Sequence, residues 1–502
     1  MKIRSLLKSL LCCLGLLGGV VPAFAQVPPE FADLYPVMQA DLTNFEATLD
    51  AGWDGTFYTN TQFAAVILPA TDGGEGAAIS NVNYLDYSVI PYLNRLQQMG
   101  IKTVKCSLNF PYLYEPFFDS PVGQNYPAGY TNMLNFASNL VYQVRQRNMK
   151  IIIPTQNLFP FLIPAISNYY ASLTFAQYTN GRSAQIQTIA RALKPDVLML
   201  QSEPITEVDN LTANLSSQLN DPVTDTNMLM GFLNDLHNAG LRTNTTLVGA
   251  GMGTWQPSFD TYLTNFVNLP LDILDVHVYP INRTTNSGVV QDFLQRTIQM
   301  ADAAHSRGMK VGMGEFWIQK ERDSELASPP SQQVFEGRNA YSFWSPLDRE
   351  MLLCMVKLAH YKQYEFIDPF FTDYFFAYLD YTNVQPLLTG LTANQAGTLL
   401  NNTEYGNSIA AVTAGTYTNT GLAYEEYMST NPPTLNLIPT NAGNLAFSWT
   451  PVASEYLLES TNTLAASASW IPQAIPPRTV GEDYAAGFIT TNRTAFFRLR
   501  LP

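Results

Sequence analysis

Short apolar runs alternate with longer amphipathic stretches along most of this chain. One such run, Val197-Leu198-Met199-Leu200, is uninterrupted, which is typical of a parallel strand covered on both faces. Polar residues follow it directly, and Pro204 then ends the strand because proline lacks a backbone donor. Comparable runs predict eight strands, at residues 63–68, 103–107, 150–154, 196–201, 245–250, 273–279, 310–314 and 366–371.

Between these runs, amphipathic stretches predict eight helices, at residues 84–99, 131–147, 183–193, 226–239, 259–267, 290–307, 347–361 and 421–428. Four of the helices end in one recurring pattern, in which Gly or Asn precedes an apolar and then a basic residue. Gly and Asn tolerate the left-handed backbone that closes a helix, so each copy predicts a helix end that leads into a strand. The four copies are Gly100-Ile101-Lys102, Asn148-Met149-Lys150, Gly240-Leu241-Arg242 and Gly308-Met309-Lys310.

Eight strands alternating with eight helices predict an α/β fold, a TIM (β/α)8 barrel, since repeated βα units build a parallel sheet that closes at this number. A doubly wound open sheet is the alternative. It would place a Gly-rich phosphate loop with the G-x-G-x-x-G spacing after the first strand, and the glycines that follow residues 63–68, Gly73, Gly74 and Gly76, do not have this spacing.

Both ends of the chain differ from this pattern. Residues 1–25 combine basic residues, an apolar run and the small-x-small sequence Ala23-Phe24-Ala25, which predicts a cleaved secretory signal and a secreted, periplasmic or cell-surface protein. Residues 26–430 then form the barrel. Residues 431–502 contain short alternating runs without helical periodicity, which predicts a small antiparallel β-sandwich. That module has Trp449 and Trp470, and sugar binding and a spacer or attachment role are both open for it.

Charge and composition narrow the class of partner. The formal net charge is −14, and loss of the three basic residues in the signal would make it −17, which opposes a nucleic-acid partner. No segment after the signal is apolar for long enough to predict a membrane span. The mature chain keeps only Cys106 and Cys354, so no disulfide framework is expected and both are interpreted as buried apolar residues.

Several catalytic chemistries are disfavoured by the motifs. The chain has four histidines, and none forms an H-x-H or H-E-x-x-H pair, so no metal is expected. A G-x-S-x-G nucleophile elbow is absent. No cofactor is expected either.

Two glutamates end predicted strands of the barrel. Glu203 follows the fourth strand and Glu315 follows the seventh, and active sites in such barrels lie at the carboxyl ends of the strands. Glycoside hydrolysis uses one carboxyl as an acid and a second carboxylate at the anomeric carbon. Strands 4 and 7 lie on opposite sides of a barrel mouth, so these two glutamates are the candidate catalytic pair.

Three motifs resemble the clan of (β/α)8 glycoside hydrolases (clan A type) whose acid/base glutamate ends strand 4 and whose nucleophile ends strand 7. They are Ser202-Glu203-Pro204, His277-Val278-Tyr279-Pro280 and Gly314-Glu315-Phe316-Trp317. The resemblance implies that Glu203 is the general acid/base and Glu315 the nucleophile. It also implies that Tyr279 orients the nucleophile and that His277 bonds near the acid/base or the substrate.

The chain departs from the clan's pattern at three places, which leaves the family unassigned. Ser202 stands where most members have Asn, and Lys105 stands where strand 2 usually has Arg. Gln156 or Asn157 takes the place of a His that often ends strand 3. These four residues are candidate substrate contacts.

Sugar rings stack on aromatic side chains through their C–H faces, and 12% of the residues are aromatic. Trp255 and Trp317 are the leading candidates because both follow predicted strands. Together these features predict a secreted, retaining O-glycoside hydrolase that acts on a poly- or oligosaccharide. The alternative is a non-catalytic, secreted glycan-binding or surface protein that uses the barrel as a platform.

Overall fold

A computed structural model describes residues 27–71, 83–126, 129–160, 163–284, 290–326 and 331–428. It also describes the segments 436–439, 445–449, 457–463, 470–472, 478–480, 483–488 and 496–500. The predicted secretory signal at residues 1–25 lies outside the described residues.

Eight parallel strands close into a barrel, which confirms the predicted TIM fold. Each strand pairs with its neighbours along the chain, and the first strand pairs with the last. The strands are β1 (Gln62–Val66), β2 (Thr103–Lys105), β3 (Lys150–Pro154), β4 (Val197–Met199), β5 (Leu247–Gly253), β6 (Ile273–Val278), β7 (Lys310–Phe316) and β8 (Phe366–Pro369). Every predicted strand is present, with its ends displaced by a few residues.

The barrel interior is filled by side chains that alternate along the strands, as expected for a packed barrel of this size. They form one buried apolar cluster, separate from the larger core between the strands and the helices. Its members are Ala64, Ile152, Val197, Met199, Ile273 and Phe366. The interior is therefore closed below the mouth, and only the strand ends are left to form a site.

Sixteen α-helices lie in the described part of the chain. They are α1 (Leu34–Gly52), α2 (Ile90–Gln98), α3 (Gly129–Gln146), α4 (Ile166–Ala171), α5 (Phe175–Ala192), α6 (Pro204–Asn210), α7 (Ala213–Leu219), α8 (Pro222–Asn238), α9 (Phe259–Phe266), α10 (Phe293–Ser306), α11 (Asp323–Leu326), α12 (Gln332–Asn339), α13 (Ser345–Tyr361), α14 (Tyr381–Leu388), α15 (Ala393–Ala414) and α16 (Asn419–Tyr427).

All eight predicted helices are present, and several begin at other residues, among them α2 at Ile90 and α8 at Pro222. The helix predicted at 183–193 begins at Phe175, where Thr174 and Gln177 form a capping box. The helix predicted at 290–307 begins at Phe293, because Val290–Asp292 pairs with Asn282–Thr284 in a hairpin. The other eight helices were not predicted, and α15 is the longest of these.

The recurring helix-end pattern behaves as predicted. Gly100, Asn148, Gly240 and Gly308 have positive φ angles of 87°, 54°, 67° and 71°. A strand follows within a few residues in three cases, and only after Gly240 does a longer turn intervene before β5. These left-handed residues set where each helix stops and so where the next barrel strand begins.

Two antiparallel sheets follow the barrel, in agreement with the predicted all-β module. Their strands are β9 (Asn436–Pro439), β10 (Leu445–Trp449), β11 (Leu457–Thr461), β12 (Ile471–Pro472), β13 (Arg478–Val480), β14 (Asp483–Phe488) and β15 (Phe496–Arg500). One sheet has the order β9-β10-β14-β13 and the other β12-β11-β15. The rings of Phe447 and Phe497, one from each sheet, lie 4.5 Å apart. A sugar-binding role for Trp449 or Trp470 stays a prediction, as do the predicted domain boundaries.

Cys106 and Cys354 are both buried, as the sequence predicted. Among the residues that the structure describes, no helix is both long and apolar enough to cross a membrane.

Two buried carboxyl groups contact each other next to the barrel. Asp373 lies just after β8, and Glu404 on α15 forms a hydrogen bond with it. Burial raises the pKa of Asp373 to about 6. Burial and the charge of Asp373 raise the pKa of Glu404 well above its usual range. The folded protein therefore holds a proton at this pair that the unfolded chain releases.

Replacing Glu404 with Gln should make stability less dependent on pH. A carboxyl whose pKa is raised by folding contributes stability that is present below its unfolded pKa and lost as pH rises through its folded pKa. An amide can donate to Asp373 without titrating, so the fall in unfolding free energy between about pH 5 and 7 should become shallower by up to about 1.4 kcal/mol per pH unit. Urea unfolding at several pH values measures this slope. The same change at the exposed Glu115 should leave it as in the wild type; an unaltered slope in Glu404→Gln would contradict a shared proton.

Candidate active site

Glu203 lies where the chain leaves β4 and enters α6. It is the residue that precedes the first turn of α6, and Pro204 occupies the first helical position. Its carboxylate accepts hydrogen bonds from Thr206 on α6 and from Nδ1 of His277 on β6, the latter at 2.7 Å. Only 7% of the residue is exposed. A short strand ended by proline thus places a carboxyl at the mouth of the barrel.

A buried ion pair holds the segment around Glu203 from behind. Arg182 on α5 pairs with Glu207 on α6, one helical turn beyond Glu203. Arg182 also donates to the backbone oxygens of Thr155 and Leu200, at 3.0 and 2.7 Å. Removing one partner of such a pair would leave a buried charge uncompensated, so this contact ties α6 firmly to the ends of β3 and β4.

A β-bulge in β7 turns Glu315 toward the mouth. Val276 pairs with Met313, but the next residue of β6, His277, pairs with Glu315, so Gly314 is an extra residue in β7. Side chains on a regular strand alternate between faces, and one inserted residue reverses the alternation beyond it. Glu315 consequently lies on the same side of the barrel wall as Lys105 and Tyr279, which it contacts.

Glu315 is surrounded by hydrogen-bond donors. Nζ of Lys105 lies 2.8 Å from one carboxylate oxygen, and the Tyr279 hydroxyl donates to the other at 2.7 Å. Nδ1 of His277 lies 3.4 Å from that second oxygen. Burial by itself would raise the pKa of Glu315, but the charges of Lys105 and His277 and the hydrogen bonds from Lys105 and Tyr279 outweigh it and lower the pKa. Glu315 is therefore held as a carboxylate.

His277 connects the two glutamates. Burial favours its neutral form, but the charges of Glu315 and Asp275 and the hydrogen bonds to Asp275 and Glu203 outweigh it and raise the pKa of His277 to about 10. At neutral pH both ring nitrogens are then protonated. Nδ1 donates to Glu203, and Nε2 donates to Asp275 at 3.1 Å. One imidazolium thus fixes the relative position of both candidate catalytic groups.

Asp275 is the inner partner of His277 on the same face of β6. Its Oδ2 also accepts from the hydroxyl of Ser202 at 3.1 Å. Gly314 makes room for it, because a Cβ at that position would lie 2.4 Å from Oδ1 of Asp275. The glycine of the Gly314-Glu315 motif is therefore needed for the packing of Asp275, and any side chain there would displace it.

The two glutamates are close enough to act on one atom. Single oxygens of Glu203 and Glu315 and a ring nitrogen of His277 all lie within 4.8 Å of one another. Such a cluster has the composition of a metal site, but the Nδ1–H of His277 already lies between the carboxylates, and Lys105 neutralises Glu315. The two carboxylates are thus already paired with the His277 imidazolium and the Lys105 ammonium, and for that reason we assign no metal to this cluster.

An aromatic rim lines one side of the mouth. Trp255, Tyr279, Phe370 and Phe371 are all half-buried. The Tyr279 ring centroid lies 5.7 Å from that of Trp255, 6.1 Å from that of Phe370 and 6.3 Å from that of Phe371. This arrangement supports the prediction that Trp255 offers a surface for a sugar ring. It also presents apolar faces directly beside Glu315.

Four of the predicted substrate contacts are placed differently. Trp317 is only 1% exposed and packs against Tyr374 in the core, so its ring has no face open to a ligand. Lys105 is fully buried beneath Glu315, and Ser202 is 1% exposed and bonded to Asp275.

Asn157 is the fourth. It is fully buried, and its amide donates to the backbone oxygen of Glu207 at 2.7 Å. It therefore binds α6 to β3 and does not face the mouth. Gln156, one residue earlier, is 7% exposed and remains a candidate contact. The physical reason for these differences is the depth of each side chain below the strand ends, which residue type and strand assignment alone do not determine.

Sequence reasoning missed Asp275 and the rim residues Phe370 and Phe371. Asp275 shares the two-residue period of His277 and Tyr279 on β6, so the alternation of the strand was an available signal. Phe370 and Phe371 directly follow β8, so they meet the same criterion, an aromatic residue after a strand, by which Trp255 and Trp317 were predicted.

Replacing Tyr279 with Phe should weaken catalysis by this site and move its pH dependence. The change removes one hydrogen bond to the charged form of Glu315, worth about 1.5–3 kcal/mol, so kcat/KM should fall roughly 10- to 150-fold. Loss of the donor raises the pKa of Glu315, and the acidic limb of the kcat/KM profile should shift to higher pH. Initial rates across pH measure both effects. Tyr142→Phe, at an exposed tyrosine, is the matched control; an unmoved acidic limb in Tyr279→Phe would exclude this role.

No family model matches the chain, and no curated protein sequence matches it. Among solved structures, the exo-β-1,4-mannosidase Op5Man5 from Opitutaceae bacterium strain TAV5 is 15% identical, covering 70% of this chain and 60% of its own, with a TM-score of 0.43. The β-glucosidase from Pyrococcus furiosus is 8% identical, covering 63% and 86%, with a TM-score of 0.40. A Cellulomonas fimi endo-β-1,4-mannanase is 10% identical, covering 92% and 97%, with a TM-score of 0.35. At these scores the similarity carries no argument about function.

Proposed function

We propose that this protein is an exported, retaining O-glycoside hydrolase that cleaves a poly- or oligosaccharide by double displacement. The observation that carries the proposal is the pair Glu203 and Glu315, with carboxylate oxygens within 4.8 Å of each other at the carboxyl ends of β4 and β7. Retaining enzymes place their carboxyls about 5–5.5 Å apart, whereas inverting enzymes need roughly 6.5–9.5 Å to admit a water molecule.

Glu315 is suited to be the nucleophile. Lys105, Tyr279 and His277 hold it as an anion, and its lowered pKa keeps it charged at neutral pH. In the first step the carboxylate attacks the anomeric carbon, and the bond to the leaving oxygen breaks. The product is a glycosyl ester of Glu315.

Glu203 is suited to be the acid and then the base. It lies within reach of the same anomeric centre, and among the described residues its hydrogen-bond partners are the neutral hydroxyl of Thr206 and the imidazolium of His277. The protonated form of Glu203 donates its proton to the leaving oxygen in the first step. In the second step it takes a proton from the water that attacks the anomeric carbon, Glu315 departs, and the configuration is retained.

The rim and the charge of the chain favour a neutral sugar. Trp255, Phe370 and Phe371 offer apolar faces beside Glu315, and the net charge of −14 opposes a polyanionic substrate. Export rests on the predicted signal at residues 1–25.

A screen of neutral glycans for released reducing ends tests this function. Glucans, mannans, xylans and galactans form a suitable panel, and NMR of the first products reads their anomeric configuration before mutarotation. We expect at least one glycan to be cleaved with retention. Inverted products would exclude Glu315 as the nucleophile, and binding without cleavage would favour a glycan-binding protein.

A further inference from the structure

Asp368 is a buried carboxyl of the barrel interior that the catalytic steps above do not use. It lies on β8, and its side chain is fully buried. Within the described part of the chain, neither of its oxygens has a hydrogen-bond partner. An ionisable group buried without hydrogen bonds is costly, so its presence beneath the two glutamates calls for an explanation.

Lys105 is the neighbour that gives Asp368 a role. Its Nζ lies 2.8 Å from Oε1 of Glu315 and 3.7 Å from Oδ2 of Asp368; the Lys105 and Asp368 side chains are fully buried, and 11% of the Glu315 side chain is exposed. Lys105 therefore has a close counter-ion in Glu315 and a second, more distant carboxyl in Asp368. The closer partner loses its charge when it becomes a glycosyl ester.

We propose that Asp368 is a positioning residue that acts as the counter-ion of Lys105 while Glu315 is esterified. The proposal rests on the proposed double displacement at Glu315. Asp368 touches no substrate. It keeps Lys105 charged and in place through the covalent intermediate, so that the ester is formed without a buried, uncompensated cation.

The electrostatics of the free protein agree with this exchange. Burial raises the pKa of Asp368 to about 8; the charge of Lys105 opposes the rise, and the charge of Glu315 adds to it. The charge of Asp275 on β6 also raises the pKa of Asp368, whereas the charge of His277 on the same strand lowers it. The charge of Asp368 in turn raises the pKa of Tyr424 on α16. At neutral pH Asp368 is therefore largely protonated while Glu315 is charged.

The exchange moves one proton. When the bond from Glu315 to the anomeric carbon forms, the leaving group departs with its electron pair and the negative charge of Glu315 is gone. Lys105 still donates to the backbone oxygen of Gly314 at 2.6 Å, but its charge then acts on Asp368 without the opposing charge of Glu315, which lowers the pKa of Asp368, and the proton of Asp368 passes to water. Hydrolysis of the ester restores the charge of Glu315, and Asp368 takes a proton back.

Proton counting during trapping tests the exchange. The background is Glu203→Gln, which removes the titration of the acid/base, and the probe is a 2,4-dinitrophenyl 2-deoxy-2-fluoro glycoside of the sugar released in the glycan screen. The dinitrophenolate leaves as an anion at neutral pH and carries no proton away. At about pH 7, an indicator dye should report about one more proton released per trapped molecule in Glu203→Gln than in Glu203→Gln/Asp368→Asn. Trapping of the double variant should be slower, on the order of tenfold.

Asp225→Asn in the same background is the matched control. Asp225 is also a buried aspartate with a pKa raised by burial to about 8, but it bonds to Gln201 behind β4. Its replacement should leave the proton count unchanged.

The possible outcomes separate this inference from the proposed function. If trapping does not increase the mass of the protein by that of one fluoro-glycosyl group, the double displacement itself is contradicted. Trapping with equal proton counts in the two variants would overturn the role of Asp368 alone. If Asp368→Asn does not fold, the pH dependence of proton release on trapping in Glu203→Gln decides whether Asp368 is the source of the proton. Proton release that disappears as the pH rises past about 8 supports Asp368 as the source of the proton. Proton release that persists toward pH 10 assigns the proton to His277 and overturns the proposal.

Discussion

Glu315→Gln is expected to abolish turnover while leaving glycan binding nearly intact. An amide has almost the shape of the carboxylate but cannot form the glycosyl ester, so kcat should fall by at least about 10⁴-fold, as for other nucleophiles that act within a catalytic unit. The hydrogen bonds from Lys105 and Tyr279 can still reach the amide oxygen in part, so the site should keep its shape. Release of reducing ends measures the loss, and calorimetry with the uncleaved glycan measures the affinity.

The same substitution at a remote glutamate provides the control. Glu425 is exposed on α16, and Glu425→Gln should show wild-type turnover. If the wild type and Glu315→Gln bind glycan equally and neither cleaves it, the protein is a glycan-binding protein built on the barrel. This comparison is the most direct separation of the enzymatic and non-enzymatic interpretations.

The second large effect is expected at Glu203. Glu203→Ala removes the proton donor, so natural glycans, which have poor leaving groups, should be cleaved about 10²- to 10⁴-fold more slowly. Aryl glycosides with an acidic leaving group need no proton in the first step and should be trapped as the ester at nearly the wild-type rate. Azide fits the space left by the side chain and needs no base, so it should restore turnover and yield a glycosyl azide of retained configuration.

The two glutamates should respond differently to azide. In Glu315→Gln, azide should give no rescue, because the amide cannot attack the sugar and still fills the space from which an azide would have to attack. Rescue of Glu315→Gln and not of Glu203→Ala would reverse the two roles. An inverted azide product from Glu203→Ala would mean that no covalent intermediate forms on the path to it.

Much of the scaffold was predictable because its signals are local. The left-handed residues Gly100, Asn148, Gly240 and Gly308 end helices through their own backbone preference, and the apolar runs mark strands through their own burial. Eight βα units follow from these signals, and a parallel barrel follows from the units. The same logic placed Glu203 and Glu315 at the ends of β4 and β7.

The partners of those glutamates were not predictable in the same way. Tyr279 was assigned to Glu315 through the resemblance, and the structure agrees with a 2.7 Å hydrogen bond. Lys105 and Ser202 were expected to meet substrate and instead are buried, Lys105 against Glu315 and Ser202 against Asp275. The stacking role of Trp317 failed for the same reason, since an aromatic residue after a strand can turn either to the mouth or into the core.

By itself, then, the sequence determined the barrel, the order of its elements and the strand ends that carry the two carboxylates, because periodicity, capping and strand termination depend on residues close together in the chain. Only the tertiary structure decided that a bulge at Gly314 turns Glu315 inward, that His277 joins it to Glu203, and that Lys105 and Asp368 lie below. Those contacts join side chains from β2, β4, β6, β7 and β8, and their geometry depends on how the strands are registered against one another.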